Sequence, residues 1–68
     1  MMNKDILKGN WKQLKGEAHK KWAKFTNDDL EQLDGDREKL LGLIQECYGK
    51  SREQADQDIK DWEKSMAA

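Results

Sequence analysis

Leu7, Trp11, Leu14, Ala18, Trp22 and Phe25 constrain this chain more than anything else in it. At about 100° per residue they fall within an arc of about 80° on a helix wheel. Nearly everything between them is Lys, Gln, Glu or Gly, so Gly9 to Phe25, GNWKQLKGEAHKKWAKF, reads as an amphipathic helix. No other segment puts two tryptophans on one face, and the remaining helices have to fold around it. Leu7 shares the stripe, so two starts are open. One is a short turn over NKDILK with Asn3 as N-cap and a main helix from Asn10; the other is a continuous helix from Asn3. The break is the preferred reading, because Gly ends helices well and Asn starts them. Gly9 and Gly16 lie opposite the stripe and weaken a helix by roughly 1 kcal/mol each relative to Ala. Close approach of another backbone or chain at Gly16 is one reason to keep a glycine there.

The rest of the chain carries clear helix punctuation. Thr26 is the expected N-cap of a second helix, with Asp29 in the capping-box position and Phe25 and Leu30 as the hydrophobic staple. Asp28, Asp29 and Glu31 sit where the helix dipole favours negative charge. Leu30 and Leu33 face inward, and Gly35 closes this helix of about two turns. Asp36 caps a third helix, REKLLGLIQECY, with a stripe of Leu40, Ile44, Cys47 and Tyr48 widened by Leu41 and Leu43. Gly49 is the expected left-handed C-cap. Ser51 with Gln54 then forms a capping box for a fourth helix. In that helix Ala55, Ile59, Trp62 and Met66 keep to an arc of about 60°.

Proline and valine are both absent, which leaves almost no strand-forming material. The expected architecture is therefore all-α: four helices, five with the N-terminal turn, in one domain spanning residues 1–68. Connections this short force sequential helices into angled or antiparallel contact. The unequal helix lengths point to two helical hairpins packed crosswise. With 35% hydrophobic residues in 68, the core is small and depends on its large side chains.

Charged residues make up 40% of the chain, and no apolar run approaches the roughly twenty residues of a membrane span. MMNKDILKGN lacks the apolar region of a secretory signal, and a single cysteine forms no internal disulfide. The expectation is a cytoplasmic protein without a membrane span. The net charge of −1 conceals a segregation. Residues 1–25 hold seven Lys against Asp5 and Glu17; residues 26–36 hold Asp28, Asp29, Glu31, Asp34 and Asp36 with no base. The basic helix either recruits an acidic partner such as nucleic acid or faces the acidic segment across the turn, with the fields cancelling. Cancellation is preferred, because dedicated nucleic-acid binders are clearly basic.

Candidate chemistry dissolves on inspection. His19 flanks the apolar face beside Lys20 and Lys21, and reads as exposed. Cys47 lies on an apolar stripe beside Glu46, the opposite of what activates a thiol. Asp34, Asp36 and Glu38 share part of a calcium-loop pattern, but the glycine comes too early and the acid at the twelfth position is missing. Gly9 and Gly16 do not form a phosphate loop, lacking a preceding strand and a Lys-Ser or Lys-Thr pair. Thr26 and Ser51 are accounted for as caps. The expectation is no catalytic residue, metal, cofactor or small-molecule substrate. The interleaved WKQLKGEAHKKWAK could stack bases or lie on a membrane surface. Its tryptophans share the core stripe instead.

GNWKQLKG at 9–16, Trp22, Thr26–Asp28–Asp29, Gly35, REKLLGLIQECYG at 37–49 and EQADQDIKDWE ending near Trp62 resemble the CsbD-like small stress proteins over almost the whole chain. Cys47 stands where relatives tend to carry a basic residue. The resemblance implies an abundant bacterial cytoplasmic protein induced in general stress, osmotic challenge or stationary phase. It implies an all-helical fold of two crossed hairpins, similar to SAM domains, and no reaction or catalytic residues. The expected function is non-enzymatic, through an unknown protein partner or self-association. The alternative is weak nucleic-acid binding through Lys8, Lys12, Lys15, Lys20, Lys21 and Lys24.

Overall fold

The computed structural model describes residues 4–67. Five helices follow in order: α1 Lys4–Gly9, α2 Trp11–Lys21, α3 Asn27–Leu33, α4 Arg37–Tyr48 and α5 Arg52–Ala67, with no strand among the described residues. The chain does break at Gly9–Asn10. The Asn10 carbonyl accepts from the Gln13 and Leu14 N–H groups at 3.0 and 2.9 Å and so starts α2. The expected Asn3 cap lies outside the described residues.

α2 stops at Lys21, four residues short of the expected end at Phe25. Trp22 leaves the helix at ψ 77°, and the chain turns with Phe25 N–H donating to the Trp22 carbonyl at 3.1 Å. The physical reason is the corner itself. Thr26 must be extended, at ψ 167°, to cap α3, so α2 gives up its last turn. Both aromatics remain in the core, with their rings stacked at 5.9 Å. Trp62 meets Trp22 edge-on at 5.1 Å, and Tyr48 meets Phe25 at 6.2 Å. Trp11 completes the centre by donating its indole N–H to the Leu30 carbonyl at 2.8 Å, which ties α2 to α3 and leaves no buried donor unmet.

The caps stand where the punctuation puts them. Thr26 Oγ1 accepts from Asp29 N–H at 3.1 Å, while Asp29 accepts from Thr26 N–H at 2.9 Å. Phe25 and Leu30 are both buried across that box. Asp36 accepts from Glu38 and Lys39 N–H groups, and Ser51 and Gln54 exchange bonds of 3.2 Å. Gly49 is left-handed at φ 63°. α3 ends on two left-handed residues, Asp34 at φ 48° and Gly35 at φ 76°. Gly35 also explains how α1 docks: a Cβ there would stand 2.5 Å from the Lys8 Cα and 2.9 Å from the Leu7 carbonyl oxygen. The close backbone approach therefore occurs at Gly35. Among the described residues, nothing beyond Gly16's neighbours and its own helix backbone lies within 4 Å of a Cβ placed there.

Leu40, Leu41 and Ile44 are the buried residues of α4, with Leu43, Cys47 and Tyr48 packed partly buried at its margin. Leu41 thus belongs to the centre of the stripe, and Cys47 to its edge. Ala55, Ile59 and Trp62 present α5 to the same core. α4 and α5 make the most extensive pairing. Arg37 reaches Asp56 and Glu63, two turns apart on α5, while Arg52 at the head of α5 reaches Glu38.

Candidate functional site

α2 and α3 meet along a shallow trough that exposes the charge segregation of the sequence. Its basic edge is set by α2 and the end of α1. On α2, Lys12, Lys15 and His19 recur at intervals of three and four, which keeps them on one flank of the buried stripe, and Lys8 at the end of α1 lines the same groove as Lys12 and Lys15. Its other edge is Asn27 and Glu31, one turn apart on α3, and Asp34 in the left-handed position that ends it. Lys15, Gly16, His19, Asn27, Leu30 and Glu31 line a groove of about 380 Å³. A continuing groove of about 470 Å³ runs past Lys8, Gly9, Trp11, Lys12, Lys15, Glu31 and Asp34.

The two edges are pinned together at one point. Lys15 Nζ donates to Glu31 Oε1, and this bond, with the adjacent ammonium charge, holds the Glu31 carboxyl below its ordinary range. Lys12 adds a weaker pull in the same direction. Among the described residues it is the only ion pair joining the basic segment to the acidic one. The expected cancellation of fields is therefore local. Among the described residues, Lys8 and Lys12 are exposed without an ion pair on one side, and Asp28 and Asp34 on the other.

The remaining lysines point elsewhere. Lys20 pairs loosely with Glu17 at 3.6 Å, and Lys21 lies on the opposite flank of the stripe from Lys15. Lys24 sits beyond the helix, its Nζ 4.9 Å above the Tyr48 ring and its backbone N–H donating to the Tyr48 hydroxyl at 3.2 Å. The structure thus gathers Lys8, Lys12 and Lys15 on one trough and sets Lys24 apart from them. His19 is exposed on the rim, and Cys47 is half-buried on α4. Among the described residues, no three His, Cys, Asp or Glu side chains are grouped to hold a metal ion. No helix among them is long and apolar enough to cross a membrane.

A second charged cluster was not expected from the sequence. Glu63 is only 2% exposed, with Oε1 3.7 Å from Arg37 Nε and Oε2 without a hydrogen-bond partner. Arg37 donates to Asp56 at 2.8 Å, and Lys60 reaches the other Asp56 oxygen at 3.2 Å. Arg37 first and Lys60 second hold the Asp56 carboxyl below its ordinary range. A signal was available. Glu63 follows Ile59 by four residues, about 40° beyond the apolar stripe, on the flank it shares with Asp56.

Comparison with known sequences places these features in a family. The sequence model described as CsbD-like matches residues 5–57. The UPF0337 protein ECA0631 of Pectobacterium atrosepticum is 52% identical over 62 residues, covering 91% of this chain and 90% of its own length. The UPF0337 protein YjbJ of Salmonella typhimurium is 49% identical over 63 residues, covering 93% and 90% respectively. The UPF0337 protein PA4738 of Pseudomonas aeruginosa is 48% identical over 61 residues, covering 90% and 94%.

Proposed function

The chain belongs to the CsbD-like family, and we propose that it is a small, non-enzymatic bacterial stress-response protein of the cytoplasm, acting through its surface on protein partners or on itself. One observation carries this reading. The hydroxyl, amide and carboxylate groups at the helix starts are engaged in capping, and exposed charge of both signs lines the α2–α3 trough. Thr26, Asp29, Asp36, Ser51 and Gln54 are all committed to helix ends. The trough keeps both signs of charge exposed at its edges, an arrangement suited to recognising a surface of mixed charge.

The alternative is weak nucleic-acid binding through Lys8, Lys12, Lys15, Lys20, Lys21 and Lys24, favoured by the exposure of Lys8, Lys12 and Lys21. Titration of the purified protein with duplex and single-stranded DNA at low and physiological salt separates the two readings. Crosslinking in cells under osmotic challenge, with the protein's mass in solution as companion, completes the test. The expected result is a protein adduct, to itself or to a defined partner, and no saturable DNA binding. Steeply salt-dependent DNA binding that is lost on Lys→Glu changes along α2 overturns the proposal.

A further inference from the structure

We infer that the α2–α3 trough is a self-complementary surface that receives a second copy of this chain about a two-fold axis. This deepens the surface-acting reading above and rests on it. The argument begins with the charge left over inside one copy. Lys8 and Lys12 on one edge and Asp34 on the other are exposed without ion pairs among the described residues, although both edges line one continuous trough. Lys15 and Glu31 pair across the middle, which leaves Lys8, Lys12 and Asp34 as the trough's outer charges.

A surface with a basic edge and an acidic edge is complementary to itself. A two-fold rotation about an axis running along the trough opposes two such troughs in parallel and lays Lys8 and Lys12 of one copy on the Asp34 edge of the other, and the same pairing recurs symmetrically. A polyanion fits the face less well. A phosphate backbone on Lys8 and Lys12 would run along the same groove as Glu31 and Asp34 and be repelled by them. The overall charge of −1 adds no attraction. Gly16 supports close approach from outside, since the space around its missing side chain is open.

The association is weak. A stable interface takes roughly 800 Å² from each partner, nearly a fifth of the 4550 Å² this molecule exposes. The contact is carried mainly by rim charges, which salt screens.

The test is sedimentation of the purified protein at high concentration across a salt series, with charge reversal at each edge. Lys8→Glu/Lys12→Glu makes both edges acidic, and Asp34→Lys makes both basic. Each variant alone is expected to sediment as a monomer at low salt where the parent self-associates, and an equimolar mixture of the two to regain association. Circular dichroism reports the fold of each variant. If the left-handed position of Asp34 does not tolerate Lys, the Lys8→Glu/Lys12→Glu variant decides alone by losing association or keeping it. A parent monomeric at every salt concentration, or association unchanged by the reversals, overturns the inference. The broader reading still stands in that case if crosslinking yields a different protein partner, and falls only if salt-dependent DNA binding appears.

Discussion

The two ends of this small molecule handle charge in opposite ways. Where α4 meets α5, one charged cluster is drawn into the contact, Arg37 lying between Asp56 and Glu63, while Lys50 bonds to Asp58 at its margin and Arg52 holds Glu38 on the surface. Where α2 meets α3, one bridge closes the middle and the other charges stay in water. The difference follows from what each contact buries. α4 contributes Leu40, Leu41 and Ile44 against Ala55, Ile59 and Trp62, so the charges closest to that contact, Arg37 and Glu63, are largely desolvated and lie against each other. α3 is only Asn27–Leu33 and offers Leu30 and Leu33, too little to shield its neighbours from solvent. The stable crossing and the charged trough are therefore two consequences of unequal helix length.

Deleting the core at the α4–α5 crossing tests that contrast most severely. Trp62→Ala removes the ring that meets Trp22 edge-on and is expected to cost roughly 3–5 kcal/mol. A domain of this size has about that much stability in total, so the variant should be unfolded at room temperature by circular dichroism. A cooperative melt near the parent temperature would remove Trp62 from the centre of the core.

Next comes the charge drawn inside. Arg37→Met leaves the Glu63 carboxylate buried without its cation and is expected to cost about 3 kcal/mol. Glu63→Leu leaves Arg37 its bond to Asp56 and should be nearly neutral or stabilising, because it removes an acid with one unmet oxygen. The double variant should recover most of the Arg37→Met loss, a coupling that urea denaturation measures directly. Additive effects would show that Arg37 and Glu63 do not act as a pair.

On the other side, Thr26→Ala takes away the side-chain half of the α3 cap and should cost about 1 kcal/mol. α3 has few core contacts to compensate, so the loss should register as a lower melting temperature. An unchanged melt would mean that the Thr26–Asp29 box contributes nothing to α3.

How far the sequence foretold this structure depends on the distance over which each signal acts. Caps were legible because they are local: Thr26 with Asp29, Asp36, and Ser51 with Gln54 each bond within three residues. The apolar stripes were legible because helical period places them, and the all-α class followed. The end of α2 was not, because Trp22 and Phe25 keep helical spacing while the backbone between them has already turned toward Thr26. Gly35 read as a helix stop, yet its contact with Lys8 lies twenty-seven residues away and no local pattern encodes it. The same holds for Glu63 and Arg37, whose pairing exists only once α4 crosses α5. At the trough, the excess of each sign was visible beforehand. That Lys15–Glu31 is the bridge between the two segments among the described residues depends on how α3 is placed, which composition does not contain.

The smallest effect is also the one that sets the two ends against each other most directly. Glu31 and Asp56 both have carboxyls held low in the folded protein, by Lys15 and by Arg37 respectively. A depressed folded pKa means the unfolded chain takes up the proton first. Each group therefore stabilises fully above its ordinary value, 4.5 for Glu31 and 3.8 for Asp56, and that contribution disappears as pH falls below it toward the folded value. Melting temperatures should fall on acidification from about pH 6 to about pH 3. Salt tells the two apart. The Lys15 and Glu31 side chains are 37% and 66% exposed, whereas Arg37 is 16% exposed. At about 1 M salt, with a Debye length near 3 Å, Lys15→Ala should melt like the parent at every pH, while the acid loss through Asp56 persists. If high salt abolished the whole acid dependence, the α4–α5 charges would be as solvated as those of the trough, and the contrast between the two ends would fail.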